Sequence, residues 1–285
     1  MSSNFIGREE IKIKAAQIKL LTSGWGIEAY ENSIVEKITY NSDGLKVKGY
    51  LAYPKRLDTN KKYPCIIWCR GGIGEQGVID VFNARGLFGQ LASWDYVVFA
   101  SQYRGNAGGE GTDEFGGGDV DDVLNLMPLA DELEFTDTTQ WGIEGWSRGG
   151  MMTYLTLTRT DKFNCAVTAG GIANLHCNAK ESKFMNRLHE MSTKKRSDDD
   201  FKNKCKARSI INFPEKLSKH TPILIIHGTD DNLVLPHDSL DLANKLQKLK
   251  HPYRLLMLEG GDHFLRKHRK EVDALRKMWY EKYLK

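Results

Sequence analysis

The residues with the clearest chemical meaning are Gly145-Trp146-Ser147-Arg148-Gly149, a G-x-S-x-G pentapeptide between the apolar stretch QWGIEGW and a segment of helical pattern. Glycines suit both flanks. A sharp strand-to-helix turn holds the serine in a strained backbone conformation, and larger side chains there would collide with neighbouring elements. A serine hydroxyl is a poor nucleophile until a base takes its proton, and the base needs a carboxylate to fix its tautomer. Both types occur downstream in the order that this turn requires. Asp230 and Asp231 lie on the loop after ILIIHG, and His263 lies in Gly260-Gly261-Asp262-His263-Phe264 after RLLML. Of eight histidines, only His263 occupies a glycine-rich loop after a late apolar run. His227 ends a strand and reads as a packed, hydrogen-bonded residue. His237, His251 and His268 border or lie on helices, and His176, His189 and His220 fall in or beside a polar stretch. Chemistry alone does not separate Asp230 from Asp231, and Asp262 is expected to face solvent.

Acyl transfer also needs donors for the developing oxyanion. The backbone N–H of Arg148, next after the nucleophile, is one candidate. Another is the loop Arg70-Gly71-Gly72-Ile73, which comes after the apolar run CIIWC and is glycine-rich as close backbone approach demands. The Arg70 side chain would either add positive charge there or lie as a surface arginine at the strand end.

These loops need a scaffold, and the pattern supplies one. Ile11, Ala15, Ile18 and Leu21 predict an amphipathic helix over Arg8 to Leu21, within an N-terminal helical cap at 1–32. SIVEKITY and LKVKGYLAY, joined by Asn41-Ser42-Asp43-Gly44, predict a hairpin. From Pro64 onward, short apolar runs alternate with helical patterns: CIIWC, YVVFA, QWGIEGW, NCAVTA, ILIIHG and RLLML each precede a helix or polar stretch. Such alternation predicts an α/β fold, with a mostly parallel central sheet, helices on both faces and the antiparallel hairpin at its N-terminal side. The polar interval 173–218 interrupts the alternation and is expected to be a lid insertion in a catalytic domain spanning 33–285.

Composition narrows the function classes. The chain has 285 residues, 40% hydrophobic and 27% charged, which excludes disordered, collagenous and coiled-coil chains. A net charge of +4, mostly dispersed, is no nucleic-acid footprint. No apolar run approaches the roughly 20 residues that span a bilayer. The start, MSSNFIGREE, resembles neither a signal peptide nor a myristoylation site, so a cytoplasmic location is expected. Five cysteines without metal-ligand spacing read as reduced structural thiols, and neither metal nor cofactor is expected.

Taken in order, RGG at 70–72, Tyr103-Arg104-Gly105-Asn106-Ala107-Gly108, Gly118-Asp119-Val120-Asp121-Asp122-Val123, GWSRGG at 145–150, HGTDDNLV at 227–234 and GGDHF at 260–264 resemble the catalytic domain of the prolyl oligopeptidase family of serine hydrolases. The resemblance runs from about Ile34 to the last helix. It implies an α/β-hydrolase fold and a triad of Ser147, Asp231 and His263. The family pattern HGxxDxxV places the acid at Asp231 rather than Asp230. It also implies an oxyanion hole from Arg148 and the Arg70, Gly71 and Gly72 loop, although Arg70 stands where family peptidases often carry tyrosine or histidine. With 33 residues ahead of Ile34, no gating propeller is expected. Substrates are expected to be small esters or short peptides, and the chain leaves ester against peptide open, as it does oligomeric state. Two other readings compete. Gly72-Ile73-Gly74-Glu75-Gln76-Gly77 satisfies G-x-G-x-x-G and would suit an oxidoreductase, with Arg104 serving an NADP phosphate. The fold could also persist as a catalytically silent binding protein.

Overall fold

The computed structural model describes residues 3–175, Ser182 and residues 198–284. It contains nine strands in an α/β-hydrolase arrangement and falls into two compact units, Met1–Ile143 with Leu284–Lys285, and Glu144–Tyr283.

The first unit orders its strands β1-β2-β3-β5-β4-β6. They are β1 (Phe5–Glu10), β2 (Ser33–Ser42), β3 (Leu45–Pro54), β4 (Tyr63–Cys69), β5 (Val97–Ser101) and β6 (Thr136–Trp146), whose last three residues belong to the second unit. The expected hairpin is present: β2 and β3 pair antiparallel from Ser33↔Pro54 to Ser42↔Leu45, and Asn41 Oδ1 accepts the Gly44 amide at 3.0 Å. β3 runs antiparallel to β5, and β4 and β5 are parallel. Helices α1 (Ala15–Trp25) and α2 (Glu28–Glu31) pack on α3 (Val81–Ser93), while α4 (Asp119–Leu124) and α5 (Met127–Ala130) precede β6.

The N-terminal segment departs from its expected helix over Arg8 to Leu21. Residues Phe5–Glu10 form β1, antiparallel to β2, and helix begins only at Ala15. β1 is an edge strand with its side chains largely toward water, so it lacks the apolar alternation that marks a strand. Ile11, assigned to the helical stripe, instead donates its amide to Val35 O at 2.8 Å. Arg85 of α3 fastens the junction between α2 and β2: its guanidinium donates to Ala29 O at 2.8 Å, Tyr30 O at 2.6 Å and Ser33 Oγ at 2.7 Å. These bonds satisfy carbonyls at the end of α2 that the helix leaves unpaired.

The second unit has β7 (Cys165–Ala169), β8 (Ile223–Gly228) and β9 (Tyr253–Leu258), parallel in that order. Its helices are α6 (Arg148–Leu157), α7 (Asp198–Arg208), α8 (His237–Lys248) and α9 (Arg269–Tyr283). The β8 side chains are buried along its whole length, as expected for a strand covered on both faces. The expected insertion is partly core. Cys205, Ile210, Ile211 and Leu217 are buried, and Ile211 N donates to Ala173 O at 3.2 Å. Cys205 lies on α7, Ile210 and Ile211 on the 3₁₀ turn Ile210–Asn212, and Leu217 just after the 3₁₀ turn Pro214–Lys216, so no single period flags them. The remainder of the proposed lid, 176–181 and 183–197, lies outside the described residues. The four described cysteines, Cys65, Cys69, Cys165 and Cys205, are buried thiols outside any disulfide.

A buried ion pair ties α9 to the end of β6. Arg276 Nε lies 2.6 Å from Glu144 Oε1, Nη2 donates to Oε2 at 2.9 Å, and the Tyr280 hydroxyl donates to the same oxygen at 2.6 Å. Burial opposes the guanidinium charge, but Glu144 overcomes it and raises the Arg276 pKa. Breaking such a pair leaves an uncompensated charge, so Arg276→Met should cost roughly 3–5 kcal/mol in urea unfolding, and adding Glu144→Leu should recover much of the loss.

Asp238, at the start of α8, accepts the amides of Ala173 and Asn174 at 3.2 and 3.0 Å. Burial pushes its carboxyl up to about 6 against the opposing pull of these bonds. A folded pKa above the unfolded value means that the native state holds the extra proton. The stabilisation this brings is complete below pH 4 and is lost as pH rises to about 6. Asp238→Asn should therefore remove a decline in unfolding free energy between those limits, read as the wild-type minus variant difference across pH.

Candidate active site

Strand β6 ends in Glu144-Gly145-Trp146, and α6 begins at Arg148, leaving Ser147 at the corner with φ 58° and ψ −122°. That conformation costs a non-glycine residue on the order of 1–3 kcal/mol and persists only where the surroundings enforce it. The surroundings are backbone bonds: Ser147 N donates to Ala169 O at 2.9 Å, and Ser147 O accepts from Gly150 N at 3.0 Å and Ile172 N at 3.2 Å. The first motif glycine is sterically required, since a Cβ on Gly145 would stand 2.0 Å from Gly149 O. Ser147 makes no side-chain cap to α6, so its hydroxyl is not spent on the helix.

The loops after β8 and β9 bring Asp231 and His263 together. Thr229 N donates to Leu258 O at 2.9 Å, Asp230 N to Gly261 O at 3.0 Å, and Gly260 N to Thr229 Oγ1 at 2.8 Å. The loops approach so closely that a Cβ on Gly228 would fall 2.1 Å from Gly261 O. His263 Nδ1 then lies 2.7 Å from Asp231 Oδ2. The carboxylate favours the tautomer with its proton on Nδ1, in which Nε2 carries the ring lone pair.

Asp231 is 3% exposed, whereas Asp230 is exposed and Asp262 is engaged with Arg266. Burial disfavours the Asp231 charge. Bonds from His227 and His263 and the amide of Leu233 outweigh it, holding the carboxyl well below the usual range. Oδ1 accepts Leu233 N at 2.9 Å and Val234 N at 3.0 Å. His227 is buried, as its strand position suggested. Its Nε2 lies 2.9 Å from Val234 O and 3.2 Å from Asp231 Oδ2, which requires a proton on Nε2, and its Nδ1 lies 2.6 Å from Ser239 Oγ.

Two contributors carry no motif signal. Trp146 occupies the first variable position of G-x-S-x-G, and its indole N–H donates to His263 O at 3.0 Å, fastening the histidine loop to the serine turn. Gly170 succeeds β7 with φ 52°, and a Cβ there would lie 3.2 Å from Asp231 Oδ2 and 3.3 Å from His263 Nδ1. Only glycine leaves that pair room.

The Arg70, Gly71 and Gly72 loop belongs to the first unit. The Arg70 side chain is 0% exposed, with Nε donating to Gln102 O at 2.9 Å, Nη1 to Gly71 O at 3.2 Å, and its carbon 4.8 Å from the Tyr103 ring centroid. The Tyr103 hydroxyl returns a bond to Arg70 O at 3.0 Å. Arg70 is thus neither a surface residue nor a projecting cation; its guanidinium organises the loop. Gly72 and Gly77 press together, a Cβ on Gly72 falling 2.4 Å from Gly77 Cα, which gives the G-x-G-x-x-G spacing a packing reason. Arg104, the cation an NADP phosphate would need, is held by Asp122 at 2.8 Å and Asp43 at 2.9 Å.

Comparison with known proteins agrees with this geometry. A model of the prolyl oligopeptidase family matches residues 86–285. The uncharacterized peptidase YtmA of Bacillus subtilis is 31% identical over 219 residues, covering 75% of this chain and 80% of that protein. Dipeptidyl peptidase 8 of Mus musculus is 28% identical over 79% of this chain, which spans only 26% of that protein. Among solved structures, the acylaminoacyl peptidase of Pyrococcus horikoshii superposes with a TM-score of 0.74 at 21% identity, covering 90% of this chain and 42% of that one. No described helix is long and apolar enough to cross a membrane. With the family match running over most of its length, this chain belongs to the prolyl oligopeptidase family of α/β-hydrolase serine peptidases.

Proposed function

We propose that the chain hydrolyses short peptides, and activated esters of the same acyl groups, through an acyl-enzyme on Ser147. The observation that carries this reading is the His263–Asp231 bond of 2.7 Å in the same compact unit as a serine held at φ 58°. The serine conformation costs stability, which an ordinary strand-to-helix turn would not require.

In this mechanism Ser147 Oγ attacks the carbonyl carbon as His263 Nε2 takes its proton. Asp231 stays ionised, holds the imidazole tautomer and stabilises the imidazolium. The Arg148 amide, at the helix start where N–H groups lack intrahelical partners, donates to the oxyanion. The amides of Gly71 and Gly72 are proposed on sequence as further donors. Collapse expels the amine or alcohol with the proton from His263, and water then repeats the sequence on the acyl-enzyme. The peptidase membership favours peptides over esters, and the commitments of Arg104 and Gly77 weigh against the oxidoreductase reading.

A fluorophosphonate probe should label the intact protein at Ser147 in a one-to-one ratio and leave Ser147→Ala unlabelled; labelling elsewhere, or none, would reject the mechanism. In a panel of aminoacyl and peptidyl nitroanilides beside p-nitrophenyl esters, turnover of esters alone would make it an esterase. Asp231→Asn should keep the fold but lower kcat about 10⁴-fold, because the imidazole then adopts the wrong tautomer.

A further inference from the structure

Phe264, directly after His263, is a large apolar side chain that is 55% exposed. It is held out by its own turn. Leu265 N donates to Asp262 O at 3.0 Å and Arg266 N to Asp262 Oδ1 at 3.2 Å, and Leu265, in a left-handed conformation with φ 49°, is buried. The Phe264 ring stands edge-on to the His263 imidazole, with centroids 5.4 Å apart at 76°. The Arg266 guanidinium lies 4.6 Å from the Phe264 ring centroid, and that side chain is 72% exposed. Arg266, Lys267, Arg269 and Lys270 place four cations within five positions; Arg266 Nη1 donates to Asp262 Oδ2 at 3.3 Å, and His268 is bonded to Glu259 O and lies 3.4 Å from Glu271.

The direction of proton transfer says which half of a substrate this surface meets. His263 hands its proton to the leaving atom, so the leaving group must come within hydrogen-bond reach of the imidazole. A side chain projecting beside that imidazole therefore meets the leaving half. We infer that Phe264 and Arg266 form the leaving-group subsite, and that it takes an amino acid or very short peptide with an apolar side chain and a free carboxylate. The ring supplies apolar area to the side chain, and Arg266 with its neighbouring cations supplies charge to the carboxylate. The inference rests on the proposed acyl-enzyme mechanism and makes cleavage near a peptide carboxyl terminus the favoured reaction.

The test uses the full chain and substrates sharing one acyl half, chosen from the nitroanilide and ester panel, with phenylalanine, phenylalaninamide or glycine as leaving group. The wild type should favour phenylalanine over glycine by about tenfold in kcat/KM. It should favour the free acid over the amide by roughly threefold, with that preference shrinking at high salt. Phe264→Ala should erase the first ratio, Phe264→Leu should keep part of it, and Arg266→Gln should erase the second. A p-nitrophenol burst from the ester of the same acyl half, measured on every sample, reports acylation of Ser147. Samples that burst normally but show wild-type ratios in all three variants overturn the subsite. A wild type that gives no burst overturns the mechanism on which it rests.

Discussion

The carboxylate of Asp231 lies out of water, and the catalytic arrangement depends on how its charge is kept. Two backbone amides meet one oxygen, while two imidazoles approach the other. Without these partners, burial would drive the group toward its neutral acid, which could not hold His263 in the required tautomer. The partners come from different places. Leu233 and Val234 belong to the same loop, His227 to the end of β8, and His263 to the loop after β9. The carboxylate thus gathers the ends of two parallel strands, and the close passage of Gly228 under Gly261 makes the gathering sterically feasible.

The serine turn answers to a second constraint, the cost of an unfavourable backbone angle. Its restraint comes from Ala169 at the end of β7 and from Gly150 and Ile172, so the strained residue is pinned from both sides of the corner. Trp146 extends the restraint outward to the histidine loop. Ser147 and His263 are thus connected through main-chain anchors. Rigid strands carry the site, and the loops between them are stapled by amides, which is how a catalytic geometry survives on loops at all.

The sequence makes the alternating core plain because its strands are continuous apolar runs, and each member of the proposed triad sits in a motif after such a run. Chemistry left Asp230 beside Asp231, and burial separates them. What stayed illegible has no periodic or compositional mark. β1 shows most of its side chains to water and is held to β2 by backbone pairing and the Arg8–Glu36 ion pair. Gly170 matters for the atoms it lacks, and a lone glycine after a strand has many ordinary explanations. Trp146 sits at a position that its motif leaves free. Arg70 looked like a projecting cation because its type is usually exposed, yet Gln102, Gly71 and Tyr103 supply enough partners to bury it. The 205–217 segment reads as polar because its buried apolar residues are split between the end of α7 and two short 3₁₀ turns rather than set on one periodic element.

The Glu144–Arg276 pair has a bearing on how the chain comes into being. Glu144 stands three residues before the nucleophile, while Arg276 is 132 residues further along. During synthesis the strand leading to Ser147 therefore emerges long before its counter-charge exists. Until Arg276 is added, Glu144 has no cation of α9 to bury against, and the segment that must hold the strained serine lacks one of its anchors. Vectorial synthesis thus makes this anchor of the Ser147 strand a late arrival, and the order of translation delays the full bracing of the site until α9 has been made.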